Sequence, residues 1–195
     1  MSSYMLDILG SVAIGALVIL MIFRFNQTML NASNEKLLYN ITQMNTVNAS
    51  EVIEYDFYKI GFRVNSDIDD VFRKAELSEL EYLTDIDNDG VMDSVLYSLS
   101  DTTALYGTEN PHDKLLYRTV NGGSPQIVTS VVDFELTYRD TLGVVITPIS
   151  DLSVAANRRA IRSIEVYINM ESADKIEGFY QGTGWDDAIN DKLDT

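Results

Sequence analysis

Residues 8–23, ILGSVAIGALVILMIF, run sixteen positions without a charge, and no proline appears in the chain before Pro111. Nothing therefore breaks a helix that begins here, since an interior proline costs about 3 kcal/mol. Sixteen helical residues span about 24 Å, short of the roughly 30 Å hydrocarbon core of a bilayer. Starting at Tyr4 reaches that thickness but brings Asp7 inside the span. A carboxylate deep in a bilayer costs about 2.5–3.5 kcal/mol, so Asp7 must be neutral, paired or at the interface. No basic segment precedes the run and no small-residue cleavage site follows it directly, so it reads as a retained membrane helix rather than a cleaved signal. Arg24 is the first basic residue and lies after the span. The basic-loop rule taken alone thus favours the opposite orientation from a head outside the cytoplasm.

Beyond Arg24 apolar residues recur at Leu30, Leu37, Ile41, Met44, Val52 and Tyr55, close to a 3.6-residue period, with Asn, Gln, Thr, Ser and Glu between them. The pattern predicts one helix over 4–59, about 84 Å long, closed by Gly61 as its C-cap. Only its first third is membrane-like. Residues 64–83 read as acidic and irregular, with a short helix expected near 70–77. Strand patterns follow at 95–99, 115–120, 127–138 and 161–168, and Asn121-Gly122-Gly123 marks a tight turn between the second and third. The expected fold class is α+β: a long N-terminal helix packed by its apolar stripe on a small antiparallel sheet. The organisation expected is a membrane segment over 1–25, an amphipathic continuation over 26–61, a β head over 62–170 and an acidic, loop-rich tail over 171–195 in which Trp185 serves as an anchor.

The 195 residues include 30 acids against 14 Lys and Arg, a net charge of −16, which argues against nucleic acid as a partner. Arg158, Arg159 and Arg162 form the one basic cluster and are expected to pair with nearby acids. There is no cysteine, so disulfides and thiolate metal sites are excluded.

The segment DILGSVAIGALVIL resembles that of the type IV pilin and pseudopilin superfamily, in which an acid precedes an apolar stretch holding a small-residue element. Here Asp7 stands for that acid and Ala13-Ile14-Gly15-Ala16 for that element. ASEVIEYDFYKIGF, residues 49–62, is similar to the helix end of PilW-like minor pilins. LLYRTVNGGSPQIVTSVVDFELTYRD and RRAIRSIEVYINM resemble strands of the same group's sheet. The resemblance implies a fold in which Asp7 pairs with the free N-terminal ammonium of a neighbouring subunit. Gly10, Ser11, Ala13, Gly15 and Ala16 would then permit close helix–helix approach. If Asp7 is the fifth residue of the mature chain, Ser3 is its first, with Ser2 where the family has glycine. The other reading of Asp7 is a helix-start acid at the headgroup level, beside Tyr4.

Asp85-Ile86-Asp87-Asn88-Asp89-Gly90-Val91-Met92-Asp93 has alternating carboxylates ahead of a glycine, the spacing of a calcium loop. Asp85, Asp87, Asp89, the Val91 carbonyl and Asp93 are the candidate ligands, and calcium is the one cofactor the sequence suggests. Leu96 holds the twelfth position, so this is not an EF-hand, and a solvated Asx turn is the alternative. The sequons at Asn26, Asn31, Asn40 and Asn48 lie on the helix and read as ordinary polar positions. His112 is the single histidine, and no catalytic fingerprint is present, so an enzyme is not expected. The expected function is a filament subunit, a minor pilin or pseudopilin. Its partners would be other such subunits, the inner-membrane assembly machinery and, before assembly, the membrane. The competing reading is a single-pass anchored binding module outside the cytoplasm, with calcium at its head.

Overall fold

The computed structural model of the chain describes residues 2–100, 110 and 112–171. Helix α1, Ser2–Tyr58, is unbroken over 57 residues, about 86 Å. It is long and apolar enough to cross a membrane. Among the described residues seven strands follow: β1 (Phe72–Ala75), β2 (Glu79–Thr84), β3 (Asp93–Leu99), β4 (Lys114–Val120), β5 (Gln126–Val131), β6 (Asp133–Arg139) and β7 (Ser163–Asn169). Between β6 and β7 lie a 3-10 turn, Ile149–Ser153, and a single turn of helix, α2, Ala155–Arg158. The fold is α+β, a long N-terminal helix with a small antiparallel head.

Strands β1 to β5 form a meander in chain order, while β6 and β7 form a separate pair. The strand expected over 127–138 is therefore two strands in two sheets. A parity change explains the division. Val131 is buried at the end of β5, but in β6 the buried residues are Phe134, Leu136 and Tyr138, on even numbers. One strand cannot put both parities on one face. Val132 lies between them and donates its N–H to the Asn169 carbonyl at 2.8 Å, joining the second sheet.

The helix expected near 70–77 is instead the β1–β2 hairpin. Leu80 and Tyr82 alternate with Glu79 and Glu81, and the Glu76 N–H donates to the Glu79 carbonyl at 2.8 Å to close the turn. The turn at Asn121-Gly122 joins β4 to β5 with φ of 51° and 62°, both left-handed, and the Gly123 N–H donates to the Val120 carbonyl. That is the geometry a right-twisted hairpin requires. Arg158 pairs with Asp70 at 2.7 Å and Arg159 with Asp69 at 3.7 Å, while Arg162 donates to the carbonyls of Arg159 and Ile161.

Among the described residues the head meets α1 only along its last few turns. Ala49 and Ile53 are buried, and Ile53 joins the core of Leu80, Val95, Leu116, Phe134 and Leu136. Phe57 sets its ring edge-on to Tyr82 and Tyr97, at 6.0 and 5.4 Å between centroids. The stripe expected to pack on the sheet does not. Leu30, Leu37, Ile41, Met44, Val52 and Tyr55 are all exposed. At 100° per residue, the packed face of Ala49, Ile53 and Ile60 lies roughly 120° around the axis from that stripe. The helix thus has two apolar faces, and the head uses one.

After α1 the chain turns through Gly61 (φ 76°) and Arg63 (φ 55°). The Gly61 N–H donates to the Leu83 carbonyl, the Asp85 N–H to the Phe62 carbonyl, and the Thr84 hydroxyl to the Lys59 carbonyl. These bonds sew the helix end to β2 and the loop after it.

Candidate functional site

Two regions hold the residues singled out in the sequence. The first is the free part of α1. Asp7, Gly10, Ser11, Ala13, Gly15 and Ala16 are all exposed on its first turns. Asp7, Gly10 and Ser11 fall toward one side, and Ala13 and Ala16 toward the other. The Ser11 hydroxyl donates to its own helix, to the Ile8 carbonyl at 2.9 Å. A methyl added at Gly10 or Gly15 would meet nothing within 4 Å. Interior helical glycine costs about 1 kcal/mol relative to alanine, and nothing among the described residues crowds these two places.

The second region is the loop from Asp85 to Asp93, between β2 and β3. Asp85, Asp87 and Asp89 each present a carboxylate oxygen within 4.8 Å of the others. Asp85 is only 2% exposed. Its Oδ2 accepts from the Gly90 N–H at 3.2 Å and from Arg63 Nη1 at 3.4 Å, while its Oδ1 has no hydrogen-bond partner. Asp87 and Asp89 are exposed and accept from the N–H groups of Asp89 and Val91. Asp93 stands apart from this trio. Its Oδ2 accepts from the Ile86 N–H at 3.0 Å and its Oδ1 from Asn121 Nδ2 at 2.7 Å, so its carboxylate closes the neck of the loop. Gly90 adopts φ 85° and Asn88 φ 65°, the left-handed bends that bring the carboxylates round. Arg63 also reaches the Asn88 carbonyl at 3.4 Å, and Lys59 Nζ donates to the Ile86 carbonyl at 2.7 Å. Both basic residues come from the turn just after α1, and no local sequence pattern links them to the loop.

A third feature was missed in the sequence. Asp56, on the packed face of α1, is 3% exposed and pairs with Arg118 on β4. It also accepts from the Tyr97 hydroxyl at 2.7 Å. Burial works against the charge of Arg118, but the hydrogen bond and charge of Asp56 outweigh it and raise the guanidinium pKa. Burial, with the nearby Asp56 charge, holds the hydroxyls of Tyr82 and Tyr97 well above the ordinary tyrosine range. The signal was present: Asp56 is an acid in phase with Ala49, Ile53 and Ile60.

Between α1 and β7 runs an open groove of about 570 Å³, walled by Thr46, Ile53, Phe57, Val166 and Ile168. His112 sits 4.0 Å from the Glu171 carboxylate. The tail beyond Glu171, with the anchoring role expected of Trp185, lies outside the described residues. Comparison with known protein families, curated proteins and solved structures returns no match for this chain.

Proposed function

We propose that this chain is a structural subunit, a minor pilin or pseudopilin, that assembles through α1 into a filament. The observation that carries the reading is the stripe from Leu30 to Tyr55, apolar, in helical register and left uncovered by the described residues of its own head. A lone anchored module needs no such stripe, whereas a helix bundled with its neighbours buries it. The glycines at 10 and 15, open on all sides within one chain, suit close helix–helix approach in or beside a membrane. In this reading Asp7 pairs with the N-terminal ammonium of the next subunit, where an apolar surround strengthens the pair and penalises an unpaired charge. The subunit waits in the cytoplasmic membrane with its head outside, and the assembly machinery there passes it into an extracellular filament. Its work is assembly rather than chemistry.

The test is mass spectrometry of filaments sheared from native cells, comparing wild type with Asp7→Ala. Wild-type peptides in the sheared fraction, and the variant inserted in the membrane but absent from filaments, are the expected result. Wild-type protein confined to the membrane fraction would replace this reading with the anchored binding module.

A further inference from the structure

We propose that the loop after β2 binds one calcium ion through Asp85, Asp87 and Asp89, in exchange for the Arg63 guanidinium, and thereby clasps the head to the end of α1. The distances fit one coordination sphere. Calcium–oxygen bonds of 2.3–2.6 Å put ligands on opposite sides of the ion about 4.6–5.2 Å apart. The three carboxylate oxygens lie within 4.8 Å of one another without rearrangement.

The independent sign of a missing ligand is Asp85. Its side chain is 2% exposed and Oδ1 takes no hydrogen bond. A buried carboxylate oxygen with no partner is costly, and the polar groups around it do not supply one. Arg63 is a weak substitute. It touches only the other oxygen, at 3.4 Å, and its side chain is about half exposed. One loosely held cation therefore meets Asp85, the buried member of the three, and touches neither of the others.

The donor set chooses the ion. All three donors are carboxylate oxygens, and no histidine or cysteine lies in the loop, which disfavours zinc and copper. Magnesium demands near-ideal octahedral geometry at 2.0–2.1 Å and gives up water reluctantly, whereas calcium accepts a short irregular loop. Asp93 is outside the sphere, because both its oxygens already hold the loop neck through Ile86 and Asn121. Leu96 offers no bidentate carboxylate, so the site belongs with the weak extracellular class, with a dissociation constant of about 10⁻⁴–10⁻³ M.

The consequence follows from where the loop is tied. The Ile86 carbonyl holds the Lys59 ammonium, the Thr84 hydroxyl donates to the Lys59 carbonyl, and the backbone of Leu83 and Asp85 bonds to Gly61 and Phe62, none of which calcium displaces. Fixing the loop fixes the chain just after α1 against the head. An occupied site stiffens the junction between helix and head.

The experiment is isothermal titration of the full chain in detergent with calcium chloride, and separately with magnesium chloride, followed by hydrogen exchange with and without calcium. Calcium is expected to bind in the range given, more tightly than magnesium. Asp87→Asn and Asp89→Asn, at exposed positions that leave the fold intact, should each weaken it at least tenfold. Arg63→Gln, which removes the competing cation, should tighten it several-fold. Exchange should slow at amides 59–64 and 86–92. No heat up to roughly 10 mM calcium, far above the expected constant, or binding unchanged in both Asn variants, would overturn the site. Equal affinity for magnesium would overturn the choice of ion. Calcium binding that Arg63→Gln fails to tighten, with exchange at 59–64 unaltered, would overturn the clasp.

Discussion

The two ends of α1 obey different rules although they are one helix. From Ala49 to Phe57 its inner face is part of a core, with Ile53 3% exposed and Asp56 paired inside the head. Over the turns before that, Leu37 is 58% and Met44 65% exposed, and among the described residues no strand approaches them. In the first region each residue is answered by another residue of the same chain, so its contribution is to folding. In the second, the apolar surface is as regular but has no partner among the described residues, and its contribution is to contacts outside them. The comparison separates residues that build the subunit from residues that await something outside it.

The comparison breaks most sharply at Asp56. Asp56→Ala strands Arg118 and the Tyr97 hydroxyl in a largely buried place, and is expected to destabilise the head by about 3–5 kcal/mol. Urea unfolding of the full chain in detergent, followed by near-ultraviolet circular dichroism, reads that loss. A change below about 1 kcal/mol would mean that the pair is not what joins helix to head. Ile53→Ala should cost about 2–4 kcal/mol by the same assay, from lost transfer energy and the cavity left among Leu80, Val95 and Phe134.

Alkaline pH probes the same core by a different route. Burial raises the pKa of Tyr82, Tyr97 and Tyr138, so the folded chain keeps these protons after the unfolded chain has released them. The native state then binds more protons, and stability falls as pH rises. The contribution is whole below the ordinary tyrosine pKa of about 10 and is lost above it, at up to about 1.4 kcal/mol per pH unit for each tyrosine. Stability measured from pH 8 to 11.5 should be level and then drop. A flat profile to the top of that range would show that the three hydroxyls reach water. Tyr82→Phe sharpens the point, because the Tyr82 hydroxyl has no hydrogen-bond partner. Its removal should be neutral or stabilising by about 1 kcal/mol, and should reduce the alkaline loss.

What could be read from the sequence follows the same division. The length of α1, the Asn121-Gly122 turn and the strands 95–99 and 115–120 were legible because each rests on a local pattern. The hairpin at 72–84 was not, since its charged outward residues, Glu79 and Glu81, outweighed the alternation of Leu80 and Tyr82. The division of 127–138 was written in the parity of Val131 against Phe134, but strand propensity alone runs straight through it. At the acidic loop the spacing of Asp85, Asp87 and Asp89 announced the trio, and the structure brings these three together. Arg63, twenty-two residues away from Asp85 in the chain, had no local signal at all. Helical phase misled in one respect: it identified an apolar stripe correctly and assigned it to the sheet, because periodicity reports that a face is apolar and not what covers it.

That last point supplies the smallest expected effect on the subunit and the most decisive one on the comparison. Leu37→Ser and Met44→Ser change side chains that already face solvent on a part of α1 the head does not reach. Surface replacements away from packing are usually worth within about 0.5 kcal/mol, so head stability should be unmoved. If the stripe is covered by neighbouring subunits, the same two changes bury hydroxyls in an apolar contact repeated at every subunit, and filament yield should fall severely. Unfolding in urea and quantification of sheared filaments, performed on the same variants, set the two readouts side by side. A head destabilised by Leu37→Ser would show that the stripe has a partner within the chain after all. Unchanged stability with unchanged filaments would leave the stripe without a role in assembly, and the two faces of α1 would differ in geometry but not in purpose.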